Sequence, residues 1–152
     1  MDTSTNNLKP SLQITLAYFL LYSFHLAFQS FTKIHLYRRQ KQSAKGENKN
    51  KHRSFKEIKY YSHDNLALAG DRAVGNFHEQ ALLFLPLFWL HALFVEGGGQ
   101  ANWSLGLVYV GTRALYPLLY SLNGMLVPIA TVPNYIILMI FMKNLWAAVG
   151  AM

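Results

Sequence analysis

The sequence predicts an all-α membrane protein built as a bundle of four transmembrane helices. Three observations carry this reading. The 152 residues are 52% hydrophobic and only 14% charged, where soluble domains carry about 25% charged residues. The apolar residues fall in long stretches parted by a glycine run, a turn dipeptide and one polar segment. The charge is concentrated, with ten of the fourteen Lys and Arg between Lys33 and Lys59 against Glu47 and Glu57 alone. That segment is +8, more than the +7 of the whole chain. A chain this short holds one domain, so 1–152 reads as a single membrane domain.

A membrane-spanning helix needs about 20 mostly apolar residues. The first span covers about 10–32, because Pro10 to Thr32 runs for 23 residues without a charge. It reads as a retained span, not a cleaved signal, since no small-residue cleavage site precedes the basic segment. The second apolar stretch, Ala81 to Val95, has 15 residues. It reaches spanning length only by starting near Leu66, which draws Arg72, Asn76 and Glu79 into a helix over about 66–95. Gly97-Gly98-Gly99 ends it, as glycine runs do. The third span covers about 103–121 and contains Arg113. Asn123-Gly124 is a turn dipeptide. The fourth span covers about 126–146, with Pro128 and Pro133 near its start, where membrane helices tolerate proline.

The segment over about 33–65 is expected to be a basic loop. By the positive-inside rule it lies in the cytosol, with both termini on the far side. It is polar and lacks the basic and aromatic interleaving of a nucleic-acid-binding face, so no nucleic-acid partner is expected. Two roles stay open for it: topology determinant and linker, or an attractor of anionic lipid headgroups.

An ionisable residue inside a span costs roughly 2.5–3.5 kcal/mol and is by default a functional candidate. Arg72, Asn76 and Glu79 follow an i, i+4, i+7 spacing, which puts them on one helix face. Arg113, Tyr116 and Tyr120 do the same on span three. Each set covers seven residues, or about 10 Å of rise. The two helices run antiparallel, so Glu79 should meet Arg113 in depth, Asn76 should meet Tyr116, and Arg72 should meet Tyr120. A Glu79–Arg113 pair would offset the desolvation of both charges. The remaining groups suit a small anionic, peptide-like ligand, because Arg binds carboxylates bidentately. The same residues can equally serve as structural glue between helices.

At these residues the chain resembles the MAPEG family, the membrane-associated proteins of eicosanoid and glutathione metabolism. Arg72-Ala73-x-x-Asn76-x-x-Glu79, followed by LLFLPLF, is similar to the family's RAxxNxxE signature. Arg113, Tyr116-Pro117 and Tyr120 resemble its R-x-x-Y-x-x-x-Y pattern. The two motifs cover about Asp71 to Gly124, and four-span topology extends the likeness over the chain. The resemblance implies a homotrimer with glutathione bound between subunits near the cytosolic side. Arg72, Asn76, Glu79, Tyr116 and Tyr120 would contact the tripeptide, and Arg113 would support the site. Arg38 is a looser match to a family arginine at the end of span one.

The implied activity is an integral membrane glutathione transferase or peroxidase acting on lipophilic electrophiles, with Arg113 and Tyr120 as the catalytic pair. The usual membrane would be the endoplasmic reticulum or another endomembrane. The count of zero cysteines agrees with this, since glutathione brings the thiol. It also excludes disulfide scaffolds and any cysteine nucleophile. The sequence departs from the family pattern twice. Many catalytic members carry a further arginine about seven residues after the second tyrosine, and Ser121 to Pro128 holds no cation. Gln80 stands where a tyrosine is frequent. The family also includes non-enzymatic lipid-binding members, which keeps a non-catalytic alternative open.

Other residues are weaker candidates. His78-Glu79 lacks the second histidine of a zinc HExxH helix, so no metal is expected. His25, His35 and His91 sit singly and are expected to bridge helices. Asp71 would orient Arg72 or face the cytosolic interface.

Overall fold

The computed structural model describes residues 3–43, 54–61 and 64–152. Every regular element among them is helical: α1 (Thr3–Ser43), α2 (Phe55–Tyr61), α3 (Asn65–Phe94), α4 (Gly98–Leu122) and α5 (Val127–Gly150), with a short 3-10 turn at Gly124–Leu126. Helices α3 and α4 form the centre of the bundle. Helix α1 packs on both, α5 packs on both from elsewhere, and α1 and α5 do not touch.

Helix α1 is longer than the span expected at its start. It has 41 residues, about 60 Å at 1.5 Å per residue, twice the thickness of a bilayer core. The residues after Thr32 include Leu36, Arg38, Arg39, Gln40 and Lys41, all good helix formers, so nothing stops the helix at the membrane boundary. The stretch over 33–65 is therefore not a loop throughout. Helix α1 continues to Ser43, and α2 forms within the segment. Helix α2 starts on a reciprocal cap: Ser54 N–H donates to Glu57 Oε2 at 2.8 Å and Glu57 N–H donates to Ser54 Oγ at 3.2 Å. Ile58 docks it on Leu36 and Ala67. Lys45, Glu47, Lys49, Lys51 and Arg53 of the same segment lie outside the described residues.

Helix α3 is capped by the Asp64 carboxylate, which accepts from the Leu66 and Ala67 N–H groups. The glycine run at its end has two physical causes. Gly97 adopts φ +68°, and a Cβ on Gly98 would lie 2.1 Å from the His91 carbonyl oxygen. The turn after α4 is closed by Asn123, whose side chain accepts from Met125 N–H at 3.0 Å.

Three helices, over Leu8–Gln42, Asn65–Phe94 and Gly124–Gly150, are long and apolar enough to cross a membrane. Helix α4, the third expected span, has 25 residues but falls short in apolarity. Its polar side chains explain this, and the bundle turns them inward: Asn102, Tyr109, Arg113 and Tyr116 are all buried. The outer surface is the reverse of a soluble protein's. Leu82 is 79% exposed, Met125 84% and Trp146 83%. Apolar surface on this scale is covered by lipid or by protein.

The core is aromatic. Phe84 and Tyr109 stack with centroids 3.8 Å apart, Tyr18 lies 4.4 Å from Phe77, and Phe88 and Phe141 close the column. Buried amides tie the helices together. Asn102 Nδ2 donates to Ser11 Oγ at 3.1 Å and to the Phe88 carbonyl at 2.8 Å. Thr112 Oγ1 donates to Asn134 Oδ1 at 2.7 Å. Helices α1 and α4 approach closely at Gly106, where a Cβ would stand 2.5 Å from Ile14 Cγ2.

Candidate functional site

Helix periodicity sets which residues of α3 and α4 share a face, and helix packing sets what each face meets. On α3, Asn76 is half-buried, while Arg72 and Glu79 are exposed. On α4, Arg113 is 2% exposed, Tyr116 is buried and Tyr120 is half-buried. Tyr116 and Tyr120 stack with centroids 6.2 Å apart and planes 20° apart. The Tyr116 hydroxyl lies within electrostatic reach of Tyr120, Arg113, Arg72 and Glu79. Arg38 stays apart, exposed on the extension of α1, with no described contact to the group.

The expected Glu79–Arg113 pair does not form within the chain. Arg113 Nη1 instead donates to Asn76 Oδ1. The guanidinium also lies 5.4 Å from the centre of the Tyr109 ring, within cation–π range. The reason is azimuth. At about 100° per residue, Glu79 sits roughly 60° around α3 from Asn76, and that turn carries its carboxylate to the outer face. Asn76 also lies about 4.5 Å along the helix from Glu79, so the pair that forms is displaced from the expected one in depth, by nearly one turn, as well as in azimuth.

Arg113 is left with unused capacity. A guanidinium has five N–H donors, and Nε and Nη2 are buried without a partner among the described residues. No carboxylate neutralises it there. On the outer face, Arg72 and Glu79 present opposite charges one turn either side of Asn76.

Several residues take roles that sequence reasoning missed. Asp71 does not orient Arg72. Its carboxylate pairs with Lys33 at 2.6 Å and accepts from Gln29 Nε2 at 2.7 Å, which ties α3 to α1 beside the site. The available signal was that Lys33 and Asp71 lie at the same end of two antiparallel helices. Gln80 turns inward, and its Oε1 accepts from the Tyr109 hydroxyl at 3.3 Å. His78 contacts the Tyr22 hydroxyl of α1. Of the three histidines expected to bridge helices, His91 does so, 3.0 Å from Asn144 Nδ2. His25 is buried with neither ring nitrogen hydrogen-bonded, and His35 stacks on Phe31.

Val127 lies seven residues after Tyr120. It packs against the buried cluster of Ala73, Tyr116 and Ala130, so this stretch makes an apolar contact there. No curated protein and no solved structure matches the chain. The family model of MAPEG matches residues 14–150, which include both motifs and all four long helices in large part. The chain therefore belongs to the MAPEG family.

Proposed function

We propose that this protein is an integral membrane glutathione transferase or peroxidase that binds glutathione on the Arg72–Asn76–Glu79 face of α3. Family membership supports a general role in glutathione or eicosanoid metabolism at a membrane. The observation that carries the specific reading is Arg113, a buried cation with spare donors, held by Asn76 beside the stacked Tyr116 and Tyr120.

Glutathione carries two carboxylates, an ammonium and a thiol. Arg72 suits a carboxylate, and Glu79 suits the ammonium. The exposure of both charges supports a site completed by a neighbouring copy in a homotrimer. A cysteine-like thiol ionises near pH 8.5, and a nearby cation lowers that value. Arg113 is the cation for this task and Tyr120 is the hydroxyl that donates to the sulfur. The thiol proton leaves to solvent, the thiolate forms a bond to the electrophilic carbon, and the leaving group departs with its electron pair. With a hydroperoxide, two glutathiones become a disulfide while the peroxide becomes an alcohol and water. The basic segment then faces the cytosol and supplies the side from which glutathione enters. The membrane is the endoplasmic reticulum or another endomembrane.

Val127 favours a second reading, a non-catalytic lipid-binding or complex-forming member that lacks thiolate activation. One experiment separates the two. Glutathione binding to detergent-purified protein is measured by calorimetry in two buffers of different ionisation enthalpy. Binding with proton release supports the transferase. Binding without proton release supports the non-catalytic member. Absence of binding overturns the site assignment and leaves Arg113–Asn76 as helix glue.

A further inference from the structure

We infer that the groove between α1, α2 and the start of α3 is an interfacial site for the headgroup of an anionic phospholipid. It is separate from the glutathione face and does not depend on it. The groove holds about 580 Å³. Its polar walls are Lys33, Lys59, Ser30, Gln29 and Asp71, and its apolar walls are Ile34, Phe55 and Tyr60.

The location argues for lipid. Lys33 is the first charge after the 23 uncharged residues of Pro10 to Thr32, so the groove opens at the level where hydrocarbon meets headgroups. The residues around it are amphiphilic in the right order. Phe31 is 67% exposed and Tyr60 62%, and Ile34 and Phe55 are exposed beside them. Aromatic residues favour the membrane–water boundary, and this apolar rim offers acyl chains a wall beneath the cations.

The charge argues for an anion. Asp71 neutralises Lys33, whose Nζ also donates to the Lys59 carbonyl at 2.8 Å. Glu57, on the same short helix, is occupied by the cap at Ser54. The Lys59 ammonium has no carboxylate partner among the described residues and lies 5.1 Å from the Tyr60 ring centre. The groove therefore has one cation to spare, set within a segment of net charge +8. The strap to Lys33 uses only the backbone of Lys59, so its side chain is available for a phosphate.

The test compares two lysines of one helix. The full-length protein is reconstituted in phosphatidylcholine nanodiscs containing phosphatidylglycerol, re-extracted in mild detergent, and its retained lipid is quantified. The expected result is phosphatidylglycerol enriched over phosphatidylcholine relative to the disc. Lys59→Gln is expected to lower that enrichment about fivefold, the equivalent of about 1 kcal/mol for one cation at a membrane surface. Lys56→Gln, equal in charge change but outside the groove wall, is expected to leave it unchanged. Equal loss in both variants would mean a diffuse basic cloud and overturns the site. Absence of enrichment in the unsubstituted protein also overturns it. So does displacement of the retained lipid by inorganic phosphate, which would make the ligand a soluble anion.

Discussion

The two halves of the α3–α4 pair are held together by different physics. Away from the basic segment, Phe84, Phe88, Tyr109 and Phe141 fill one another's space and are fully buried. Nearer to it, the same two helices present Arg72 and Glu79 outward and bury Arg113 with donors to spare. The first half satisfies itself within one chain. The second leaves Arg113 Nε and Nη2 without a partner among the described residues and two charges on the outer face. Under the proposed function, stability belongs to the first half and binding to the second, which is the division expected when a site breaks local packing rules for function.

That division is testable by substitutions that should affect one half only. The largest effect is expected from Phe84→Ala in the aromatic column. It should cost about 3 kcal/mol or more through lost packing, read as a lower midpoint of thermal unfolding in detergent. Glutathione affinity of the folded fraction should be unchanged, and a parallel loss of affinity would break the comparison.

Arg113→Leu should do the reverse. Arg113 is buried with two donors unpartnered among the described residues, so its removal relieves an uncompensated desolvation cost, and the unfolding midpoint should hold or rise. Glutathione binding by calorimetry should weaken more than tenfold. A large drop in stability would instead mark Arg113 as structural glue. Arg72→Ala is expected to weaken glutathione about tenfold, the scale of one charged hydrogen bond, with no change in stability because the side chain is exposed.

The smallest effect is expected at the strap between α1 and α3. Lys33 and Asp71 are 13% and 39% exposed at their side chains, so solvent screening limits the pair. Asp71→Asn should cost less than about 1 kcal/mol. Chemical denaturation in micelles would measure it, and a cost equal to that of Phe84→Ala would mean that the two halves are not separable as described.

Much of the site was legible because it rests on periodicity. Arg72, Asn76 and Glu79 recur at helical spacing, as do Arg113, Tyr116 and Tyr120, and the helices on which they lie were expected from apolar length. The third span was expected to match the others in apolarity, and the polar residues of α4 place it below them. Less was legible in the segment over 33–65. Its composition suggested a loop, but Leu36 finds Ile58 and Ala67, and that contact supports helix on both sides of a stretch outside the described residues.

Local patterns thus account for the four long helices, the membrane as the solvent of three of them, and the cation-rich segment. Three pairings came from assembly instead: Arg113 with Asn76, Asp71 with Lys33, and Gln80 with Tyr109. The physical reason is rotational. A helix's sequence sets the angles among its own side chains, about 100° per residue. The angle of one helix against the next is set by packing at points such as Gly106 against Ile14 and Phe84 against Tyr109. A rotation of some 60° about α3 together with a shift of about 4.5 Å along it separates Asn76, which meets the buried guanidinium, from Glu79, which does not.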